Sequence, residues 1–173
     1  MSVRAEHLGD IAAALVEAFA SRGKVIATAE SCTGGMIAAG LTDIAGASSV
    51  LDRGFVTYSN AAKSEMIGVA TALIEAHGAV SQEVARAMAE GALAASRADV
   101  TIAVTGIAGP GGGSAEKPVG LVHLALASRQ QTIHHVARFG DIGRTNVRRE
   151  TVVLAYSMLG KWLNDQVSAA TGP

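Results

Sequence analysis

Residues 24–41 read KVIATAESCTGGMIAAGL, and this stretch decides the fold of the chain. Residues 24–29 are mostly small or apolar and predict a short buried strand. Residues 36–41 read as a helix, so residues 31–35 form the turn between the two elements. The segment therefore predicts a strand that runs directly into a helix, which is the building block of an α/β fold.

The rest of the chain continues this alternation. Apolar residues at helical spacing predict a first helix with Leu8 to Phe19 on its buried stripe and a last helix with Val152 to Leu163 on its stripe. Ser59 and Ser81 occupy N-cap positions for a short and a long helix between them. Further strands are predicted at residues 49–58, 100–104, 120–127 and 132–139, the last two joined as a hairpin by residues 128–131. The order α-β-α-β-α-α-β-β-β-α predicts an α/β fold, a single-domain mixed β-sheet covered by helices on both faces.

Length and composition exclude several classes of protein. With 173 residues, of which 49% are hydrophobic, the chain is expected to form one domain over residues 1–173 with a substantial core. A net charge of −1 and 3% aromatic residues exclude the basic, stacking surfaces that bind nucleic acids or anionic membranes. No apolar run reaches the roughly 18 residues of a membrane span, and residues 1–10 lack the pattern of a secretory leader. We therefore expect a cytoplasmic protein.

The turn after the first strand carries the first candidate site. Ser31 and Cys32 place a hydroxyl and a thiol side by side near the positive end of a helix dipole, where nucleophiles are often presented. Gly34 and Gly35 leave the backbone bare, so a ligand oxygen is able to approach the amides. The competing interpretation is that Ser31 or Thr33 merely caps the helix. Cys32 is the single cysteine, which excludes an intrachain disulfide; it is either an alternative nucleophile or a small buried side chain.

A glycine-rich loop follows the buried strand at residues 100–104. Residues 105–114 read TGIAGPGGGS, at the carboxyl end of a strand, where α/β proteins usually bind ligands. Backbone amides in such a loop are able to turn inward as an anion nest that suits a phosphate. It is not a Walker loop, because no Gly-Lys-Ser/Thr follows and Lys117 stands before Pro118. The alternative is a flexible connection.

A lysine lies one turn into the predicted short helix. Residues 54–63 read GFVTYSNAAK, and a lysine at such a position is normally a solvated surface group. A lysine removed from water loses its proton more readily, however, and then serves as the general base to a serine. Ser-Lys pairs are an established variant of the nucleophile-plus-base arrangement. Lys63 is therefore a candidate base for Ser31.

Three motifs together resemble one family. A-E-S-C-T-G-G at residues 29–35, G-F-V-T-Y-S-N-A-A-K at 54–63 and T-G-I-A-G-P-G-G at 105–112 have the order and spacing of the C-terminal domain of the CinA (competence/damage-inducible) proteins, followed by K-P-V-G at 117–120. The resemblance extends over essentially the whole chain. This domain also occurs alone as nicotinamide-nucleotide amidohydrolase, so the resemblance implies hydrolysis of the carboxamide of nicotinamide mononucleotide to nicotinate mononucleotide and ammonia.

The resemblance implies a role for each matched residue. Ser31 is implied as the nucleophile, Lys63 as the general base and Tyr58 as a supporting hydroxyl. Arg144 departs from the family's pattern, because the usual G-D-R before the last helix is here G-D-I-G-R at residues 140–144 and the arginine is displaced by two residues. Substrate contacts are expected from Thr33, Gly34, Gly35, Ser48, Thr105, Gly106, Gly109, Gly111, Gly112 and Arg144.

The residues fit an amidase that needs neither a metal nor a cofactor. A serine must lose its proton as it attacks an amide, and the oxyanion needs fixed donors, which we expect from the amides of the helix that starts at Gly34 and Gly35. The histidines show no ligand spacing, and the adjacent His134 and His135 point to opposite faces of a strand. The expected ligand is a phosphorylated pyridine nucleotide, with no nucleic-acid or membrane partner, and a small Ala/Gly-rich domain favours a homodimer.

A function of another class is compatible with the same motifs. The full CinA proteins carry an additional N-terminal domain, so the chain is alternatively a non-catalytic nucleotide-binding or regulatory module. Release of ammonia from nicotinamide mononucleotide distinguishes the two functions.

Overall fold

The computed structural model describes residues 5–170, with side chains from residue 8 to residue 166. This part of the chain forms six α-helices and five strands in the order α-β-α-β-α-α-α-β-β-β-α. The helices are α1 (Ala5–Ala20), α2 (Met36–Thr42), α3 (Asn60–Ile67), α4 (Thr71–His77), α5 (Gln82–Ala94) and α6 (Arg144–Ala170). The strands are β1 (Ile26–Glu30), β2 (Leu51–Val56), β3 (Val100–Gly106), β4 (Leu121–Ser128) and β5 (Thr132–Arg138).

The five strands form one mixed sheet in the order β2-β1-β3-β4-β5. β1 lies parallel to both β2 and β3, whereas β4 and β5 pair antiparallel to their neighbours. Glu30, the last residue of β1, pairs with Val56 on one side and with Val104 on the other. The segments that follow β1, β2 and β3 therefore meet at one edge of the sheet. The predicted mixed sheet is confirmed.

Helices cover both faces of the sheet, as predicted. α1, α2 and α6 pack on one face, where the rings of Phe19 and Trp162 stack with centroids 6.1 Å apart. α3, α4 and α5 pack on the other face, around the fully buried Met88. The crossover from β1 to β2 runs through α2 and the crossover from β2 to β3 runs through α3 to α5, so they use opposite faces. The neighbouring segments after β1 and β2 therefore diverge to opposite faces, and open α/β sheets bind ligands where neighbouring segments diverge in this way.

Two details of the predicted elements are wrong. The sequence predicted two helices between β2 and β3, but there are three, because residues 71–77 form the additional α4. This helix has seven residues and buries only Ile74, too few apolar positions for a recognisable period. β1 begins at Ile26 rather than at residue 24, because the carboxylate of Asp99 binds the side chain of Lys24 and the backbone N–H of Val25. The two predicted caps are confirmed: the hydroxyls of Ser59 and Ser81 accept from backbone amides of α3 and α5.

The longest helix, α6, has 27 residues and carries charged residues along its length. Arg148 and Glu150 lie in its first turns and Lys161 in a later one. Across residues 5–170 no helix combines the length and the apolar content needed to cross a bilayer.

Candidate active site

Ser31 lies at the carboxyl end of β1, in a tight turn that two glycines allow. Its N–H donates to Val104 O (3.0 Å), which continues the ladder to β3, and its carbonyl accepts from the N–H of Gly34 (3.1 Å). Gly34 and Gly35 have φ angles of +61° and +99°, in the left-handed region that L side chains rarely adopt. The turn therefore requires both glycines, and it leaves Ser31 half-buried where β1 ends.

Lys63 reaches this serine from α3. Its side chain is 1% exposed, and its Nζ atom lies 3.2 Å from Ser31 Oγ and donates to Thr57 O (2.9 Å). Burial lowers the pKa of Lys63 below its ordinary value, although the neighbouring Cys32 thiol opposes this shift. None of the ion pairs among the described side chains includes Lys63. The lysine is therefore not a solvated surface group; it is a buried amine positioned on the candidate nucleophile.

Glu30 is a buried carboxylate that the sequence analysis did not select. It is 0% exposed and accepts five hydrogen bonds. Its Oε2 atom accepts from the hydroxyl of Thr33 (2.7 Å) and from the N–H groups of Gly35 (3.0 Å) and Ile37 (3.0 Å). Its Oε1 atom accepts from Ala38 N–H (2.9 Å) and from the hydroxyl of Thr28 (3.2 Å). An acid that ends a buried strand directly before a helix N-terminus was the available signal.

Glu30 changes the assignment of the oxyanion donors. The amides at the start of α2 were expected to be free, but those of Gly35, Ile37 and Ala38 all donate to this carboxylate. The N–H of Gly34 donates to Ser31 O. The expectation that these amides receive the substrate oxygen is therefore wrong, because the buried acid and the turn already use them.

Cys32 lies in the core, and no hydrogen bond joins its thiol to Lys63 among the described residues. It is 6% exposed and belongs to the apolar cluster under α1, α2 and α6. Burial, with a smaller contribution from the charge of Glu30, raises the pKa of its thiol to about 12, although the backbone amides of Cys32 and Thr33 and the charge of Arg148 oppose this shift. A protonated thiol in the core is a poor nucleophile, so the geometry favours the reading of Cys32 as a small buried side chain.

Arg144 connects the segments that follow β2 and β3. One of its terminal nitrogens donates to Tyr58 OH (3.1 Å) and the other donates to Gly109 O (3.0 Å). The displaced arginine therefore lies at the same edge of the sheet as the turn of Ser31, although its motif differs from the usual one. Tyr58 is 61% exposed, and the hydrogen bond that places it is this one to Arg144.

A second arginine, Arg148, lies one turn further along α6 and was not selected from the sequence. It donates to Thr33 O (2.7 Å), and its Nε atom is buried without a partner in the described part of the chain. Thr33 is therefore held twice, by Glu30 at its hydroxyl and by Arg148 at its carbonyl.

The glycine-rich loop starts from a fixed base and ends in exposed glycines. Thr105 is 1% exposed and its hydroxyl donates to Ala79 O (2.8 Å), which ties the end of β3 to the segment before α5. Gly106 lies against β4, where a Cβ would meet Val122 at 2.7 Å. Beyond the buried Gly109, residues 110–116 are exposed. The hydroxyl of Thr105 is thus used to bind another segment of the chain. A phosphate nest at Gly111 and Gly112 stays a prediction.

Ser48 is not brought to this site. It belongs to a short 3₁₀ helix, Ala47–Ser49, and is exposed. This helix precedes β2, at the edge of the sheet opposite to that of Ser31.

Two of the histidines on the described strands form a pair. His123 Nδ1 and His134 Nε2 lie 3.0 Å apart on β4 and β5, and burial is the main cause that lowers the pKa of both rings. Among the described residues, no group of three or more His, Cys, Asp and Glu side chains has the arrangement to hold a metal ion.

Sequence comparisons identify relatives over most of the chain. Residues 9–163 match the family model of the CinA C-terminal domain. A CinA-like protein of Anaeromyxobacter dehalogenans (strain 2CP-C) is 52% identical over 145 residues, which are 84% of this chain but 35% of that protein. The chain thus spans about a third of the length of the CinA-like relatives that it matches. A protein of Enterobacter agglomerans named nicotinamide-nucleotide amidohydrolase PncC is 52% identical over 150 residues, 87% of this chain and 92% of that protein.

Solved structures show the same fold. The competence/damage-inducible protein CihA of Agrobacterium tumefaciens is 55% identical, with a TM-score of 0.89 over 95% of this chain and 99% of that one. A CinA superfamily protein of Klebsiella pneumoniae 700603 is 34% identical, with a TM-score of 0.87 over 91% of this chain and 98% of that one.

Proposed function

Because the chain belongs to the CinA C-terminal domain family, we propose that it hydrolyses the carboxamide of nicotinamide mononucleotide to nicotinate mononucleotide and ammonia. Ser31 acts as the nucleophile and Lys63 as the general base. The substrate is proposed from the relative that is matched over almost its whole length and carries an amidohydrolase name.

The observation that carries this proposal is the buried contact between Lys63 and Ser31. A lysine Nζ atom 3.2 Å from a serine Oγ atom is within the distance at which a base accepts the serine proton. Burial favours the neutral amine, which is the form that acts as a base, because the charged form loses its hydration.

The first half of the reaction forms an ester. Neutral Lys63 accepts the Ser31 proton as Oγ attacks the carboxamide carbon, which gives a tetrahedral oxyanion. The protonated lysine then gives its proton to the amide nitrogen, the C–N bond breaks and ammonia leaves. The nicotinoyl group remains on Ser31 as an ester, and Lys63 is neutral again.

The second half returns the enzyme to its starting state. Lys63 takes a proton from a water molecule as the water attacks the ester carbon, and it then protonates Ser31 Oγ as the C–O bond breaks. The products are a free serine and the carboxylic acid, which loses its proton to solvent to give the carboxylate, so one water is consumed for each ammonia released.

The oxyanion accepts a hydrogen bond from the backbone N–H of the residue that follows the nucleophile. Of the turn amides, those of Cys32 and Thr33 face the Cys32 sulfur, which is a weak acceptor, and donate to no oxygen in the described part of the chain, whereas the next ones are used by Ser31 and Glu30. The amide that follows a nucleophilic serine is a common oxyanion donor. Cys32 N–H is therefore assigned to the developing charge, while Arg144 and the exposed glycines after Gly109 are assigned to the nucleotide.

The test is release of ammonia from nicotinamide mononucleotide by the purified protein, with nicotinate mononucleotide measured by chromatography. We expect stoichiometric release of both products by the wild type and by Ser49→Ala, which removes an exposed hydroxyl at the opposite edge of the sheet. Ser31→Ala is expected to release neither. Tight binding of the nucleotide by the wild type without release of ammonia would show instead that the chain is a binding or regulatory module.

A further inference from the structure

The carboxylate of Glu30 lies inside the hinge between the nucleophile and its helix. It precedes Ser31 by one residue, and its five donors come from both sides of Ser31: Thr28 before it, and Thr33, Gly35, Ile37 and Ala38 after it. Three of these donors are backbone amides of a helix N-terminus, which favour a negative charge. All five are able to donate, so the ionised carboxylate, which only accepts, matches them.

A neutral side chain of the same shape is unable to satisfy this set. The amide of a glutamine has one oxygen and one NH2 group, and the NH2 group would face either Ala38 N–H or the pair Gly35 N–H and Ile37 N–H. At least one buried amide would lose its acceptor, and the turn would have to move to relieve two facing donors.

Because Ser31 lies between β1 and this hydrogen-bonded segment, we propose that Glu30 is a positioning residue that sets the direction of Ser31 Oγ toward Lys63. This inference rests on the proposed function for its choice of reaction. The carboxylate does not touch the substrate. It accepts hydrogen bonds from the Thr33 hydroxyl and from the amides of the turn, while Arg148 donates to the carbonyl of Thr33.

The position of Ser31 has to be accurate because Lys63 has little freedom to follow it. Its Nζ atom is also bound to Thr57 O at 2.9 Å and its side chain is almost fully buried. A displacement of about 1 Å between reacting groups is able to cost on the order of a hundredfold in rate. We therefore expect loss of Glu30 to reduce kcat rather than to raise KM.

The experiment compares Glu30→Gln with a control of equal burial. Thr101→Val removes a fully buried hydroxyl bond to Ala89 O (2.7 Å) at the other end of the same sheet. We expect Glu30→Gln to lower kcat by about tenfold to a hundredfold with KM within about twofold of the wild type. We expect Thr101→Val to lower the melting temperature and to keep kcat. If Glu30→Gln has a wild-type kcat, or loses activity only in proportion to its unfolded fraction, the proposal is wrong.

A second variant covers the case in which Glu30→Gln does not fold. Thr33→Val keeps the carboxylate and the carbonyl contact of Arg148 but removes the shortest of the five bonds. Its kcat is expected to fall by about threefold to tenfold, the effect of one buried hydrogen bond. A wild-type kcat for Thr33→Val overturns the proposal.

Labelling of Ser31 with a sulfonyl fluoride separates this inference from the choice of substrate. The rate of labelling, followed by intact mass, reports the reactivity of Ser31 whether or not nicotinamide mononucleotide is hydrolysed. Slower labelling of Glu30→Gln than of the wild type supports the positioning role even if no ammonia is released. A wild-type Ser31 that is labelled no faster than the exposed Ser49 contradicts both proposals.

Discussion

The Nζ atom of Lys63 lies 3.2 Å from the Oγ atom of Ser31, although the two residues are 32 positions apart and belong to opposite crossovers of the sheet. Ser31 starts the crossover that contains α2, and Lys63 lies in the first helix of the crossover that contains α3, α4 and α5. The contact is formed where β1 and β2 end side by side.

The hydroxyl of Ser31, and not the thiol of Cys32, is expected to be essential. Ser31→Ala should lower kcat by about a thousandfold or more while the protein stays folded, because the half-buried hydroxyl is used for the reaction rather than for packing. Cys32→Ala should keep kcat within about twofold and cost on the order of 1 kcal/mol of stability, since it truncates a small core side chain. Steady-state kinetics and urea unfolding measure both effects. An active Ser31→Ala with an inactive, folded Cys32→Ala would exchange the two roles.

Lys63→Arg is expected to be inactive. A guanidinium does not lose its proton, so kcat should fall by a factor on the order of 10²–10⁴, the usual contribution of a general base. In the wild type, kcat/KM should rise with pH and level off above the pKa of Lys63, which burial lowers below its ordinary value of 10.5. The matched control is Lys24→Arg, which is able to keep the ion pair with Asp99 (3.1 Å) at the other edge of the sheet. An active Lys63→Arg would remove lysine from the role of base.

The buried amine should also make the stability of the protein depend on pH. The pKa of Lys63 is lowered in the folded state, so the unfolded chain binds one more proton between that lowered pKa and the ordinary value of 10.5. Within this window the wild type should gain up to about 1.4 kcal/mol of unfolding free energy per pH unit relative to Lys63→Met, and the difference should be constant on either side. Urea unfolding of both proteins across this range measures it. A difference that does not change with pH would show that the amine stays charged.

The exposed glycines after β3 are expected to bind the phosphate of the nucleotide. A charge-assisted hydrogen bond contributes about 1.5–3 kcal/mol, so nicotinamide riboside should have a kcat/KM about tenfold to a hundredfold below that of the mononucleotide. Gly111→Val should reduce this preference, because the valine side chain would occupy the space in which the phosphate is expected to bind. The substitution itself should be tolerated, since a Cβ at Gly111 meets no atom within 4 Å. Gly112 is less suitable, since its φ of +83° strains any side chain. Equal kcat/KM for the two substrates in the wild type would leave the loop as a connection.

The fold was predictable because its elements have strong local signals. Leu15 and Phe19, at helical spacing on α1, and the buried strand 100–104 follow simple periodicity, and the mixed sheet follows from their order. The short α4 was missed, because one buried residue in seven gives no period. The start of β1 was also mispredicted, because the distant Asp99, and not a neighbouring strand, binds the backbone N–H of Val25.

The candidate site was predictable only in part. Ser31 and Lys63 were both selected, but their contact depends on a long-range pairing of strands that spacing along the chain does not reveal. Glu30 was missed because an acidic residue is usually taken as exposed, and its burial depends on five donors that come together only in the folded turn. Thr105 was expected to face the ligand, and the structure adds a bond from its hydroxyl to Ala79 O that no local pattern indicates.

The central place of β1 in the sheet also determines how late in synthesis the surroundings of Ser31 are completed. β1 pairs Ile26 with Leu51 on one side and with Val100 on the other, so its second partner is made long after its first. Parallel pairings between distant segments are slow steps of folding, because the chain between them must first be closed into a loop. The nascent chain therefore holds Ser31 without its bond to Val104 O, and Lys63 without the burial that lowers its pKa, until β3 and α5 have joined the sheet.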